Sequence, residues 1–232
     1  MNFIKNKLCI LILLTTYILP LGGIGISGIQ NSISIDGSES DEDFILDFKS
    51  NGAESGLNIF IYFDALPNDL AIEYNREIKL QPLTTTIAYD IIGDPIQGEL
   101  STFRISDYLT IRKEVAGFSI PILAKAALHV GGGLNQHKSV IPSINLLKDI
   151  YDVNEIDDLY NAADQSWDGD AFIEKLESNA IKSTGLHIQA GIQGKLLMAN
   201  VFANAKYTFI LNDEQSSIKS FPGLTIGLAY GF

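Results

Sequence analysis

The sequence contains almost no cysteine: Cys9 is the one thiol in 232 residues, and it lies inside an apolar N-terminal run. Without it the chain has no disulfide, no thiolate metal ligand and no cysteine nucleophile. Cys9 also lacks the preceding small residues of a lipoprotein cleavage site. Basic residues are scarce as well, 16 Lys and Arg against 28 Asp and Glu for a net charge of −12, which argues against a nucleic-acid partner. No stretch reaches the ~18 consecutive apolar residues that a membrane-spanning helix needs. The longest run, Leu8 to Leu19, is preceded by Lys5 and Lys7 and followed by Pro20, Gly22, Gly23, Gly25 and Ser27. That order predicts a secretory signal peptide over residues 1–23, cleaved after Gly23, Gly25 or Ser27. Setting its two lysines aside takes the net charge from −12 to −14.

The chain is instead rich in alternation. Hydrophobic residues make up 46% of it and glycine contributes 20 positions, dispersed along the chain and not gathered into helical blocks. The last eleven residues put Leu224, Ile226, Leu228, Tyr230 and Phe232 on one face of a strand and Thr225, Gly227, Ala229 and Gly231 on the other. A strand whose apolar face meets lipid, with interfacial aromatics at its end, has this pattern. A buried strand of a large soluble β-sandwich is the competing reading.

The same period of two recurs. Leu57, Ile59, Ile61 and Phe63 alternate with Asn58, Phe60, Tyr62 and Asp64; Leu66 to Asp69 forms a tight turn; Leu70, Ile72 and Tyr74 then oppose Ala71, Glu73, Asn75 and Glu77. After Pro82 the apolar side switches to Leu83, Thr85, Ile87, Tyr89 and Ile91, which predicts a bulge or a second turn at Gln81–Pro82. Thr102 to Arg112 reads as a strand although Asp107 falls in phase with Phe103, Ile105, Leu109 and Ile111. Phe118 to Val130 reads as one long strand with Lys125 and His129 on its inward face. Leu186 to Gln193 and Val201 to Leu211 add two more. With a first strand near Ile24 to Ile35 and a bulge at Pro82 the count is eight; with a turn at Pro82 and only a tail before Leu57 it is again eight, the even number a closed up-and-down barrel requires. The first of these readings is preferred.

If the C-terminus lies on the periplasmic side, Leu66–Asp69, Glu114–Gly117 and Lys195–Asn200 become short inner turns. The acidic segment after Ile35, Gly93–Ser101, Gly132–Ser183 and Asn212–Phe221 become outer loops. The longest of these carries helical spacing at Ile144, Leu147, Ile150 and Tyr151 and again at Ile156, Leu159, Tyr160 and Ala163, and Asp170 is placed to cap a helix holding Phe172, Ile173 and Leu176. Its carboxylates lack the spacing and central glycine of a calcium loop. An amphipathic cap solvated by its charges is the simpler expectation, with an extracellular ligand-binding surface as the alternative.

Candidate chemistry is sparse. Gly131-Gly132-Gly133 lacks the Lys-Ser/Thr of a phosphate loop and is expected to let a strand leave the barrel rim. His129 and His187 are expected to face inward near the mouth with His137 in the loop above, weak candidates for a metal or acid–base site. Glu73, Glu77, Asp64 and Asp90 with Arg104, Arg112, Lys125 and Lys206 supply opposite charges to one lumen. In an eight-stranded barrel they are expected to fill that lumen as a network of ion pairs. No catalytic residue and no cofactor site is predicted.

The signal peptide, the Asp64-Ala65-Leu66-Pro67 turn, the eight alternating segments and the terminal Phe232 together resemble the outer-membrane protein β-barrel domain family of small eight-stranded barrels. The resemblance implies an all-β, antiparallel, up-and-down transmembrane barrel over residues 24–232 with a long, partly helical extracellular insertion at about 132–183. It further implies an outer-membrane location in a Gram-negative-type bacterium, membrane lipid and the barrel-assembly machinery as partners, and Phe232 with Tyr230 as the assembly signal. Family members are structural, adhesive, solute-passing or lipid-modifying. The expectation here is a non-enzymatic structural or surface protein; a lipid-modifying enzyme and a narrow passive transporter are the alternatives.

Overall fold

The computed structural model describes residues 22–41, 44–89, 94–120, 123–153, 169–212 and 218–232. The signal-peptide segment up to residue 21, Asp90, and the middle of the long insertion with Ile156, Leu159, Tyr160 and Ala163 lie outside them.

Ten strands form one antiparallel sheet: β1 (Gly22–Asn31), β2 (Asp36–Asp41), β3 (Phe44–Ser50), β4 (Glu54–Leu66), β5 (Leu70–Tyr89), β6 (Ile96–Ile120), β7 (Ala124–Val140), β8 (Ile181–Leu196), β9 (Ala199–Asn212) and β10 (Ser220–Gly231). The pairings run from β1 through β4, β5, β6, β7, β8, β9 and β10 and return to β1, so the sheet closes on itself. The two strands outside this ring, β2 and β3, form a hairpin attached to the upper half of β5. The expected count of eight therefore describes the ring, and the sheet as a whole has ten strands.

Register fixes the shape. The rung starting at Gly22 passes through Phe63, Ile72, Ile111, Gly132, Ile188, Tyr207 and Pro222, whose carbonyl accepts from the N–H of Ser32. One circuit climbs from residue 22 to residue 32, a stagger of ten residues that tilts the strands by roughly 35–45°.

Along the ring, side chains segregate opposite to a soluble protein. Ile24, Ile59, Ile61, Leu109, Ile188, Ile226 and Leu228 point out and are exposed, while Glu54, Glu77, Lys79, Ser106, Arg112 and Thr208 point in and are buried. β5 shows where this ends. Its pairing with β6 is continuous from Leu70 to Ile87, without the break expected at Gln81–Pro82. What changes there is the chemistry of the two faces: outward Ile78 and Leu80 give way to Pro82 and Thr84, and inward Lys79 and Gln81 give way to Leu83. Pro82 faces the gap between Ser50 and Glu54, where β3 and β4 part, so its missing N–H costs no ladder bond. Gly52, at φ 121°, turns the chain through that gap in a conformation that favours glycine.

Beyond Pro82 the core is apolar. Ile33, Ile35, Leu83, Ile218 and Phe221 form one cluster, and Phe44, Leu46 and Ile144 another. The second cluster docks helix α1 (Ile144–Tyr151), capped by the Ser143 hydroxyl, which accepts from the Leu146 N–H at 3.0 Å. Glu39 on β2 accepts from the Ile144 N–H at 2.8 Å, and Asp41 pairs with Lys148. Helix α2 (Gly169–Ser178) follows, and Asn179 just after it donates to Asp149 at 2.6 Å. Asp170 falls in the first turn of α2, not before it.

Several boundaries differ from expectation. The turn expected at Glu114–Gly117 is a register shift inside β6, which continues to Ile120; its antiparallel partner β7 begins at Ala124. Phe118, Ile120 and Ala124 keep one apolar phase across that boundary, so alternation alone joins two strands into one. The helical insertion is shorter than 132–183, because β7 continues to Val140 and β8 begins at Ile181; β6 likewise starts at Ile96, within the expected loop 93–101. Gly131–Gly133 is mid-strand and not at a rim. A Cβ on Gly133 would sit 1.8 Å from the Leu109 carbonyl oxygen, so the glycine permits close strand approach.

Candidate functional site: the filled lumen

The lumen holds three layers. At the end carrying the Leu66–Leu70 turn, Phe60, Tyr62 and Phe202 pack edge to face with ring centroids 5.2 Å apart for the two pairs that include Phe202. Arg112 lies against these rings, 5.4 Å from Tyr62 and 5.2 Å from Phe202, while its guanidinium binds Asp64 at 2.7 Å and Glu73 at 3.1 Å. Two carboxylates and two ring faces thus hold one buried cation.

The middle layer carries the larger network. Glu77 accepts from Lys79 at 2.8 Å and from Lys206, and the Lys206 ammonium sits 3.3 Å from the centre of the Tyr108 ring. Lys79 also reaches Glu54 at 3.6 Å, which receives Arg104 at 3.3 Å and the Asn31 amide at 2.6 Å. His137 and His187 flank Tyr108 edge-on at 5.5 and 5.1 Å. His137 hydrogen-bonds Ser106 at 2.7 Å and Asn135 at 2.9 Å; His187 bonds Thr110 at 2.8 Å.

The upper layer is the apolar cluster around Phe221, whose ring covers Lys79 at 5.9 Å, Arg104 at 5.5 Å and His137 at 6.0 Å. Aromatic groups therefore close both ends of an ionic interior.

Of the expected network, Glu73, Glu77, Arg112 and Lys206 sit together in this lumen. Lys125 points inward but lies at the lower mouth, half-buried, where it pairs with Glu114 at 2.5 Å. Lys79 and Glu54 were missed. Glu54 precedes the alternating run of β4, and Lys79 stands beside the apparent break at Pro82, so neither lay in a recognised inward row. The histidines are not the expected mouth cluster. His137 is on β7 and buried in the lumen, not in a loop, and His129 lies eight residues below it on the same strand. Among the described residues no group of three or more His, Cys, Asp or Glu could hold a metal ion. Tyr230 and Phe232 end the outward row of β10, 58% and 70% exposed.

Asp107, anomalous in the alternation, does face outward among apolar neighbours. Arg76 stands directly opposite on β5 and binds it with two hydrogen bonds of 2.8 and 3.1 Å, while the Tyr74 hydroxyl donates at 2.5 Å. A carboxylate on an apolar face is tolerable when so neutralised.

No protein-family model matches the chain, and neither does any curated sequence. Solved structures do match. They are small outer-membrane β-barrels. The Ail attachment invasion locus protein of Yersinia pestis, in complex with the heparin analogue sucrose octasulfate, is 12% identical at a TM-score of 0.42, covering 91% of this chain and 97% of Ail. Neisserial surface protein A is 13% identical at 0.40, covering 91% and 97%. The N-terminal β-barrel domain of Pseudomonas aeruginosa OprF is 11% identical at 0.41, covering 90% and 97%.

Proposed function

We propose that this protein is an integral outer-membrane β-barrel of eight membrane-spanning strands, exported by residues 1–23, whose closed lumen serves stability and whose helical insertion and β2–β3 hairpin form an extracellular surface. The observation that carries the reading is the inversion on β5. Between Leu70 and Leu80 the outward side chains are largely apolar and the inward ones largely polar; beyond Pro82 the arrangement reverses. At the tilt above, a strand rises ~2.5 Å per residue along the barrel axis, so these eleven residues span about the ~25 Å apolar band of an outer-membrane barrel. The short Leu66–Leu70 turn then faces the periplasm, and the acidic cap faces outward. The exposed aromatic row ending in Phe232 is read as the element engaged by the barrel-assembly machinery.

The filling of the lumen supports a non-enzymatic, non-conducting role. Ser106, His137 and Asn135 are hydrogen-bonded as a nucleophile, base and orienting amide would be, yet all three are buried, with His137 between Tyr108 and Phe221. A substrate has no access to that serine, which favours a structural role for the three. The full chain reconstituted in planar bilayers is expected to show no stable unitary conductance. Regular current steps from the folded protein would overturn the closed-lumen reading in favour of transport.

A further inference from the structure

The outward face of the ring carries a feature that lumen packing does not explain. On β7 and β8 the outward rungs ascend through Gly132–Ile188, Leu134–Leu186 and Gln136–Thr184 to Lys138–Lys182. Two lysines thus stand directly opposite each other, both exposed, a placement that opposes strand pairing unless an anion lies between them. Neither makes an ion pair among the described residues. Among the described residues the outward carboxylate beside this rung is Asp107, opposite Gln136, and it is already held by Arg76.

Below this pair the outer surface is hollow. The rung Val130–Ala190–Ala205–Leu224 places two alanines side by side between larger residues, and the rung above it runs Ile188–Tyr207–Pro222. The result is a largely apolar depression of ≈ 910 Å³ floored by Ala190 and Ala205 and bounded by Val130, Ile188, Tyr207 and Leu224. From the lysine rung to Ile188 is six residues, about 15 Å along the barrel axis, half of the ~30 Å hydrocarbon thickness and so the depth of one leaflet.

We infer that this face binds one molecule of an outer-leaflet glycolipid, with a headgroup phosphate held between Lys138 and Lys182 and an acyl chain lying in the depression over Ala190 and Ala205. The inference rests on the membrane reading above. Phosphate complements two ammonium groups that have no ion-pair partner among the described residues, and the exposed Gln136 and Thr184 one rung below offer an amide and a hydroxyl to sugar hydroxyls. A lipid with phosphate on a saccharide uses all four groups.

The test titrates the full chain, refolded in micelles, with lipid A, dephosphorylated lipid A and phosphatidylglycerol, and counts bound lipid by native mass spectrometry. Heat-modifiable gel migration of each sample reports the folded barrel independently. One lipid A per protein is expected, with the dephosphorylated form and phosphatidylglycerol both bound more weakly. Lys138→Gln with Lys182→Gln should weaken lipid A binding about 10- to 30-fold, from roughly a several-fold loss per lysine. Ala190→Phe with Ala205→Phe should weaken it without removing the charge preference, and Lys113→Gln, at the opposite end of β6, should change nothing. Undiminished binding by the folded lysine variant, or equal binding of phosphatidylglycerol, overturns the inference while leaving the barrel intact. Failure of the wild-type chain to give a heat-modifiable band overturns the membrane reading itself.

Discussion

Glu77→Ala is expected to lower the free energy of unfolding by about 3–5 kcal/mol, the effect of removing one partner from a buried ion pair. Glu77 is the only carboxylate within salt-bridge distance of Lys206 among the described residues, and it also receives Lys79. Its removal leaves Lys206 with the Tyr108 ring and Lys79 with the 3.6 Å contact to Glu54. A buried ammonium without a carboxylate is not repaid by a ring face. Adding Lys206→Met should recover part of the loss, because the double variant buries one uncompensated charge fewer. Denaturant unfolding in lipid vesicles measures both. A Glu77→Ala change under ~0.5 kcal/mol would mean that water reaches this layer freely.

Ile226→Arg is expected to cost about 2–4 kcal/mol in the same assay, the penalty of a cation near the midplane of the lipid face. Ile226 is 70% exposed and lies between Leu224 and Leu228 on the outward row of β10. On a water-facing surface the same change would stay within ~0.5 kcal/mol. Thr84→Arg provides the contrast. Thr84 also points outward, but beyond Pro82, opposite Lys49 on β3 and Glu99 on β6, where arginine should be nearly neutral. A burial argument from exposure alone would rank the two sites as alike; only the solvent each face meets separates them.

Much of the ring was legible because alternation reports directly on a face with lipid on one side and polar groups on the other. The rows Leu57 to Phe63, Leu186 to Ile192, Val201 to Leu211 and Leu224 to Phe232 all face as the sequence implies. Alternation records which face is apolar, not which way that face points or where one strand gives way to the next. At Pro82 the backbone stays in phase while solvent and core exchange sides, so a change of environment looks like a change of register. Between Ile120 and Ala124 the reverse holds, and a change from one strand to the next hides inside an unbroken pattern. His137 reads as a loop residue because the alternation of its strand is traceable only from Phe118 to Val130, whereas β7 continues to Val140. The pairing of Asp107 with Arg76 was not legible at all, since it depends on register between residues 31 apart in the chain. The charges of the lumen could be named as a set, but their partners could not.

The most direct test of the inverted barrel is site-directed spin labelling in lipid vesicles. Single cysteines at Ile59, Ile226, Thr84 and Glu99 would be introduced into a chain with Cys9 replaced, and the collision of each label with oxygen and with a water-soluble nickel chelate measured. Labels at Ile59 and Ile226 are expected to meet oxygen freely and the chelate hardly at all, and labels at Thr84 and Glu99 to show the opposite. Comparable access of the nickel chelate to all four positions would contradict a lipid-facing belt.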